Sequence, residues 1–492
     1  MAFDLRNMSF QTRKVVKESQ FAVGGVIPIA TEKPLKRVLS VVATPTMARV
    51  ESVDFNHNMR GKINIEMLYL TESGEYETTK AEFSFEHTEN VAVENANCKA
   101  EIAEYSVVEE TATYVKLNFL TNLYLEGTSV DNLTALDGEE NNYVVLNGDF
   151  DHVSYLQGAK SQAELEDKIE LDGAQKILGY ETAIKTGAVS CGIDQIGASG
   201  EVCVKLSCLT EDSVVCVERQ LEFNHEVACL GVNPEDLAKA IIYVSKVEYA
   251  FVDSEKPTIA LKFFLDIDVS AYRKQTEKVI GDLFCTTKEV EVVTECANFT
   301  DYIGQKEWQE EISCEDVLES EQNVVCARVV GTNIAKLAVD NGKFVADGVA
   351  KVNMLVKDAE GDTITKVINI PFSICRQVET DGLVSEYHVQ AMVKDVAKHE
   401  EKVELTLTFV FDLAFCKERY AEYVSSAKEL ADKEAQTSAI TIYVASEGDT
   451  LFSVAKALSI HPDKIQNQNQ VVDGKFEKGQ RIFVYNPLVA EF

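Results

Sequence analysis

Three copies of one strand pattern recur along this chain, and their regular spacing constrains the fold more than any other feature. In each copy a glycine opens an alternating apolar run, and a polar turn leads into a second strand that carries a phenylalanine. The pairs are Gly61 with Phe85, Gly200 with Phe223, and Gly348 with Phe372. A later strand-like segment holds Val115, Ile259 and Val403 at the same position, 144 residues apart in both steps. Period-two alternation with many β-branched and aromatic residues predicts antiparallel β-strands in every copy.

A repeat of this length is large enough to bury a core of its own. We therefore predict a mainly β chain with three tandem antiparallel β-sandwich-like domains, at residues 1–142, 143–284 and 285–416. Residues 417–440 are rich in Ala, Lys and Glu and end near Gln-Thr-Ser, a composition that predicts a partly helical linker. A small domain at residues 441–486 completes the predicted organisation.

The chain is strongly acidic, with 47 Lys and Arg against 81 Asp and Glu and a formal net charge of -34. Such a surface repels phosphate backbones and anionic headgroups, so we expect no nucleic-acid partner and no membrane insertion. Six acidic and five basic residues lie from Thr441 onward, so nearly all of the net charge precedes that position. The sequence has neither a signal-peptide pattern nor an apolar run of about 18 residues, which predicts an unexported, soluble protein.

The sequence contains none of the common catalytic or metal-binding motifs. There is no glycine-rich phosphate loop, no nucleophile elbow and no HExxH, and the 12 cysteines include no CxxC pair. Asp266 and Asp268 share one face of a predicted strand, and we interpret them as solvent-facing positions rather than as an acid–base or metal pair. Trp308 is interpreted as a packing anchor. We therefore predict a protein that is not an enzyme, with no catalytic residues, no cofactor and no metal site.

The last fifty residues have a different pattern. The segment ITIYVAS alternates as a strand, and Asp449 or Thr450 can cap a helix that follows. That helix has an apolar face formed by Leu451, Val454, Ala455 and Leu458. HPDKIQNQNQ predicts a second helix with a proline near its start, and GQRIFVY predicts a closing strand. The segment is therefore predicted to be a small βααβ domain.

This segment resembles the LysM family, whose signature Y-x-V-x-x-G-D-T-L-x-x-I-A it follows closely. The matching positions are Tyr443, Gly448, Asp449, Thr450, Leu451, Val454 and Ala455, with Asn469 and Gly479-Gln480 further along. The resemblance implies a shallow groove that binds N-acetylglucosamine-containing glycans. One wall of this groove would be formed by Gly448, Asp449, Thr450 and Leu451, and the other by Ile465, Gln466, Asn467 and Asn469. The alternative is that Asp449 and Thr450 only cap the helix and that Leu451 only fills the core.

The first repeat resembles the SPOCS domain of endospore-forming bacteria. The matching residues are Leu39 to Ala43, Gly61, Leu68, Tyr69 and Phe85, in the order that family shows. The domain order of this chain, SPOCS-like domains followed by a LysM domain, is similar to that of spore coat assembly proteins. The resemblance implies a structural protein made in the mother-cell cytoplasm and placed at the forespore surface. Its β domains would be scaffold units capable of self-association, and the LysM domain would be the localising contact.

Two partners for the LysM segment remain open on the sequence. One is a coat morphogenetic protein at the base of the coat, and the other is an N-acetylglucosamine-containing glycan such as peptidoglycan. The absence of an export signal and the presence of Gln468, where the family usually has an aliphatic residue, make a protein surface at least as good an expectation as a glycan. A peptidoglycan-binding cell-wall protein is the alternative function.

Overall fold

The structure is a computed structural model that describes residues 4–46, 49–137, 143–211, 213–253, 257–319, 321–340, 342–380, 382–434 and 439–485. The described chain is mainly β, as predicted, with 21 strands and two short helices. Six or seven consecutive strands build each of three blocks, and the C-terminal module, residues 439–485, follows them. Neither helix of the described chain is long and apolar enough to cross a membrane.

Each block consists of two sheets with the same strand order. Block 1 contains β1 (Asp4–Ala30), β2 (Leu35–Pro45), β3 (Arg49–Val53), β4 (Asn56–Thr71), β5 (Tyr76–Asn90), β6 (Glu94–Glu110) and β7 (Tyr114–Asp137). Its first sheet has the order β1-β7-β6, and in the second β4 pairs with β2, β3 and β5. All of these pairings are antiparallel.

Blocks 2 and 3 repeat this topology without the extra short strand. Block 2 contains β8 (Tyr143–Glu170), β9 (Lys176–Cys191), β10 (Gln195–Leu209), β11 (Val214–Ala228), β12 (Leu237–Asp253) and β13 (Thr258–Cys285). Block 3 contains β14 (Lys288–Val317), β15 (Asn323–Asp340), β16 (Lys343–Lys357), β17 (Thr363–Gln377), β18 (Leu383–His399) and β19 (Lys402–Asp432). The sheet orders are β12-β13-β8 and β11-β10-β9 in block 2, and β14-β19-β18 and β15-β16-β17 in block 3.

The two sheets of a block bury a common core. In block 2 this core joins alternate residues of β13, such as Leu261 and Phe263, to alternate residues of β10, such as Val202 and Val204. The repeated glycine and phenylalanine lie opposite each other on adjacent strands, as Gly348 and Phe372 do in block 3. A Cβ atom on Gly348 would lie 2.6 Å from Phe372 Cζ, so the ring needs a glycine beneath it. Close contact between ring and backbone therefore explains the glycine of the sequence repeat.

The blocks are consecutive in sequence, and they pack against one another in space. Leu39, Leu178 and Val325 stand at corresponding irregularities of β2, β9 and β15, and they share one apolar cluster. Each pair of blocks is also joined by hydrogen bonds. Tyr249 donates to Glu66 Oε1 at 2.9 Å, Arg328 donates to Leu178 O at 3.0 Å, and Asn353 donates to Leu39 O at 3.1 Å. The three blocks therefore form one closed head.

In the first sheet of each block the central strand is β7, β13 or β19, and its two neighbours are the first and the fifth or sixth strand of the block. The C-terminal part of the central strand extends past the end of β6, β12 or β18. There it pairs with the first strand alone and forms a two-stranded ribbon. These ribbons pair residues 128–137 with 4–13, 272–285 with 143–155, and 416–432 with 288–302. The ribbons pack against each other at positions that are again 144 residues apart. Ala135, Val279 and Tyr423 share one apolar cluster, and Leu136, Ile280 and Val424 share the next. We call this packed bundle of three ribbons the stalk.

The predicted partly helical linker at 417–440 is wrong for most of its length. Residues up to Asp432 continue β19, and they pair with β14 down to Lys288. The Ala, Lys and Glu content favours a helix, but cross-strand pairing and the burial of Tyr423 and Val424 among the ribbons outweigh that preference. The part of this segment at 435–438 lies outside the described residues.

Candidate binding site in the C-terminal module

The C-terminal module consists of β20 (Ile440–Val444), α1 (Leu451–Leu458), α2 (Pro462–Gln466) and β21 (Arg481–Tyr485). The two strands pair antiparallel, with Ile440 opposite Tyr485. Both helices cover one face of this sheet and share an apolar cluster with it. The fully buried members of this cluster are Val454, Ala455, Ile465, Ile482 and Val484.

Asp449 holds together the turn that precedes α1. Its Oδ2 accepts hydrogen bonds from the Ser446 backbone N–H at 2.7 Å and from the Tyr443 hydroxyl at 3.1 Å. The bond to Asp449 raises the pKa of Tyr443, because it stabilises the protonated phenol. Gly448 is exposed and has a φ of 91°, a conformation that favours glycine. The Gly-Asp pair of the motif therefore shapes the turn.

Thr450 and Ser453 form a capping box at the start of α1. Thr450 Oγ1 accepts a hydrogen bond from the Ser453 N–H at 3.1 Å, and Ser453 Oγ accepts one from the Thr450 N–H at 2.9 Å. Leu451 is partly buried against the module core, and its N–H donates to Gly474 O at 2.8 Å. Thr450 thus caps α1 and Leu451 packs against the core, which are the roles that the alternative interpretation gives them.

The second predicted wall is equally engaged inside the module. Ile465 is completely buried. Asn469 Nδ2 donates to Ile465 O at 2.9 Å and to Phe483 O at 2.7 Å, and its Oδ1 accepts from the Phe483 N–H at 2.7 Å. The neighbouring Gln468 accepts from the Tyr485 N–H at 2.7 Å. Asn469 and Gln468 therefore fasten the loop after α2 to β21.

Only part of the predicted groove presents polar groups to solvent. Gln466 and Asn467 are exposed, and within the described part of the chain their side chains make no hydrogen bond. Together with the backbone of Gly448 they offer amide donors and acceptors and no charge. Of the eight predicted site residues, Gly448, Gln466 and Asn467 are therefore the three that present polar groups to solvent, whereas Asp449, Thr450, Leu451, Ile465 and Asn469 build the fold that carries them.

The sequence pattern gave no indication of a second surface on the module. The face of its sheet that points away from the helices carries Ile440, Ile442, Val444, Phe483 and Tyr485, and we call it the outer face. Ile440, Ile442 and Val444 expose 53%, 56% and 58% of their surfaces, and Tyr485 exposes 52%. Every outward position of β20 is thus apolar, which is unusual for a strand face in water. The alternation of ITIYV indicates a strand but not which face the helices cover.

The module is attached to the far end of the stalk through α1. The rings of Phe452 and Phe284 have centroids 5.5 Å apart in an edge-to-face arrangement. Lys456 Nζ lies 2.6 Å from Asp282 Oδ2, and Lys433 donates to Ser459 Oγ at 2.7 Å. Since these contacts lie on the helix side, the outer face is directed away from the stalk.

Asp266 and Asp268 are not solvent-facing, so that prediction is wrong. Asp266 is 5% exposed and accepts a hydrogen bond from Gln162 Nε2 at 2.7 Å. Asp268 accepts one from Asn97, which belongs to block 1. Closure of the blocks buries these carboxylates, and the sequence of one strand carries no sign of such a neighbour. Among the described residues no group of three or more His, Cys, Asp or Glu side chains is arranged to hold a metal ion.

Comparisons of this chain with protein-family models, with curated proteins and with solved structures gave no match. The function therefore has to be inferred from the residues of the module and from the frame that carries it.

Proposed function

We propose that the protein is a non-catalytic structural adaptor of spore coat and cortex assembly. In this proposal the three blocks are SPOCS-like β-sandwich domains that serve as a scaffold. The C-terminal module is a LysM domain that localises the chain to the forespore surface from the mother-cell side. Its partner is a protein at the base of the coat. The proposal rests on the two sequence resemblances and on the position of the module at the end of the stalk.

The stalk is the observation that carries the proposal. Between Tyr272 and Phe284 the second ribbon spans about 40 Å, at the usual rise of a β-strand. All three blocks contribute a ribbon, and residues 144 positions apart meet within it. A spacer built in this way holds a binding module away from the acidic head and keeps its orientation fixed. Such an arrangement suits an adaptor between two layers.

The geometry of the groove favours a protein contact over a glycan contact. Sugar recognition needs several convergent polar groups that are free to bond the ligand. The side chains of Asp449, Thr450 and Asn469 already bond within the module. The exposed amides of Gln466 and Asn467 are the observation that favours the alternative function, a peptidoglycan-binding protein, because amides suit N-acetyl groups.

Titration of the full chain with chitin oligomers and with soluble peptidoglycan fragments distinguishes the two functions. We expect no saturable binding below the millimolar range, and we expect the Gln466→Ala and Asn467→Ala variants to behave like the parent chain. Saturable micromolar binding that Asn467→Ala abolishes, while the matched change Asn333→Ala in block 3 leaves it intact, would establish the glycan function and contradict the proposal.

A further inference from the structure

The two most exposed large apolar side chains of the described head lie on neighbouring loops of block 2. Ile193 exposes 74% of its surface and Leu230 exposes 77%. Their loops are joined because the Cys229 N–H donates to Asp194 O at 2.8 Å and the Gly231 N–H donates to Asp194 Oδ1 at 2.6 Å. We call Ile193 and Leu230 with these loops the knob. A hydrogen-bonded loop pair that presents two large apolar side chains has the properties of a protein-binding surface.

The outer face of the C-terminal module is complementary to the knob in charge as well as in polarity. Arg481 is exposed at the corner of the outer face, opposite Val444, and within the described chain it forms no ion pair. Asp194 and Glu235 are exposed on these loops and likewise have no cationic partner among the described residues. The one guanidinium at the knob, that of Arg273, donates to Gly231 O at 2.8 Å and is paired with Asp236 at 2.7 Å, so the two carboxylates leave the knob net negative. An apolar face with a guanidinium at its edge therefore has a counterpart in an apolar pair with carboxylates at its edge.

The two surfaces are too far apart to meet within one molecule. The knob precedes Leu237, which pairs with Tyr272 where the second ribbon begins. The module is attached at Asp282 and Phe284, at the other end of that ribbon. The distance along the ribbon is about 40 Å. Contact between the outer face and the knob must therefore join two molecules.

We propose that the outer face of the module binds the knob of a second copy of this chain. Two copies with antiparallel stalks make this contact twice, because the same 40 Å or so separates the two surfaces in each copy. The outer face measures only about 17 Å by 10 Å, from the dimensions of two five-residue strands. One such contact is much smaller than the roughly 800 Å² per partner of a stable interface, so the dimer is weak and concentration-dependent. This self-association is separate from the proposed partner and holds whether or not the adaptor function is correct.

Analytical ultracentrifugation of the full chain at physiological ionic strength tests the proposal. We expect a monomer–dimer equilibrium between about 1 and 200 μM, the range of a weak contact. Ile442→Glu on the outer face and Ile193→Glu on the knob should each raise the dissociation constant at least about tenfold. The matched controls are Val472→Glu on another side of the module and Val317→Glu in block 3, both at exposed valines, and they should leave it unchanged.

A mixing experiment distinguishes this contact from any other mode of dimerisation. Ile442→Glu keeps an intact knob and Ile193→Glu keeps an intact outer face, so an equimolar mixture should dimerise when neither variant does so alone. Charge reversal supplies a second readout. Arg481→Glu alone should weaken the dimer, and the double variant that also carries Glu235→Arg should dimerise like the parent chain. A parent chain that stays monomeric throughout the range overturns the proposal. So does a dimer that Ile442→Glu leaves intact, or a mixture that fails to dimerise.

Discussion

A substitution at Gly179 tests the closure of blocks 2 and 3 most sharply. Arg328 of block 3 reaches into block 2, where it is 4% exposed and donates to Leu178 O at 3.0 Å. A Cβ atom on Gly179 would lie 2.6 Å from Arg328 Cζ, and the φ of Gly179 is 150°. Gly179→Ala must therefore displace a buried guanidinium and also strain the backbone.

The cost of this substitution follows from the groups it disturbs. Loss of a buried hydrogen bond from a charged donor costs about 1.5–3 kcal/mol, and a non-glycine residue in this backbone region costs about 1 kcal/mol or more. We expect a total loss of about 3 kcal/mol in folding free energy, most of it from weaker contact between the two blocks. By the usual conversion this is a change of roughly 100-fold in the equilibrium for opening that interface.

Hydrogen exchange at Val329 measures the opening directly, because its N–H donates across the interface to Glu181 Oε1 at 2.7 Å. In Gly179→Ala this amide should exchange roughly 100-fold faster, whereas the amide of Val204 in the core of block 2 should keep its rate. In the double variant with Arg328→Met the clash is absent, so the two effects should not add. Strict additivity, or unchanged exchange at Val329, would refute the reasoning.

Three further predictions concern pH, the loop after α2 and the attachment of the module. Burial raises the pKa of Glu181 from 4.5 to about 7, so between these pH values the folded state binds more protons than the unfolded state. The free energy of unfolding should therefore fall as the pH rises through this window. Urea titrations at several pH values measure this dependence, and Glu181→Gln should flatten it. Asn469→Ala removes three hydrogen bonds and should lower the stability of the module by about 2–3 kcal/mol, which faster hydrogen exchange of the Phe483 amide would report. The control Asn467→Ala should change the stability of the module by less than about 0.5 kcal/mol. Phe284→Ala removes the ring against α1 and should speed exchange throughout α1 without affecting Val204, and protection of α1 equal to that of the parent would show that the attachment does not depend on this ring.

The repeat in the sequence carries much of the information about the fold. The pairing of Gly348 with Phe372 is visible in the sequence because a ring above a backbone needs a glycine, and the mainly β character follows from alternation. The stalk could not be predicted in this way. Ala135, Val279 and Tyr423 meet there, yet they share neither size nor polarity, so no residue type marks the position. Contacts between blocks are formed by side chains that a single strand pattern treats as outward-facing.

The candidate site shows the same limit at the level of single residues. Asp449 and Thr450 belong to the motif, but the residue types that bind a ligand are also those that cap a helix and shape a turn. Only the hydrogen bonds decide between these roles. The outer face was missed because Ile440 and Ile442 read as ordinary inward positions of an alternating strand, while Thr441 between them faces the helices.

Localisation of the chain in sporulating cells tests the central claim most directly. A fluorescent fusion of the full chain should gather at the forespore surface, and a chain that ends at residue 434, without the C-terminal module, should remain diffuse in the mother cell. A full chain with Gln466→Ala and Asn467→Ala should localise like the parent, since a protein contact does not depend on the glycan groove. Forespore localisation that persists without the module would contradict the account.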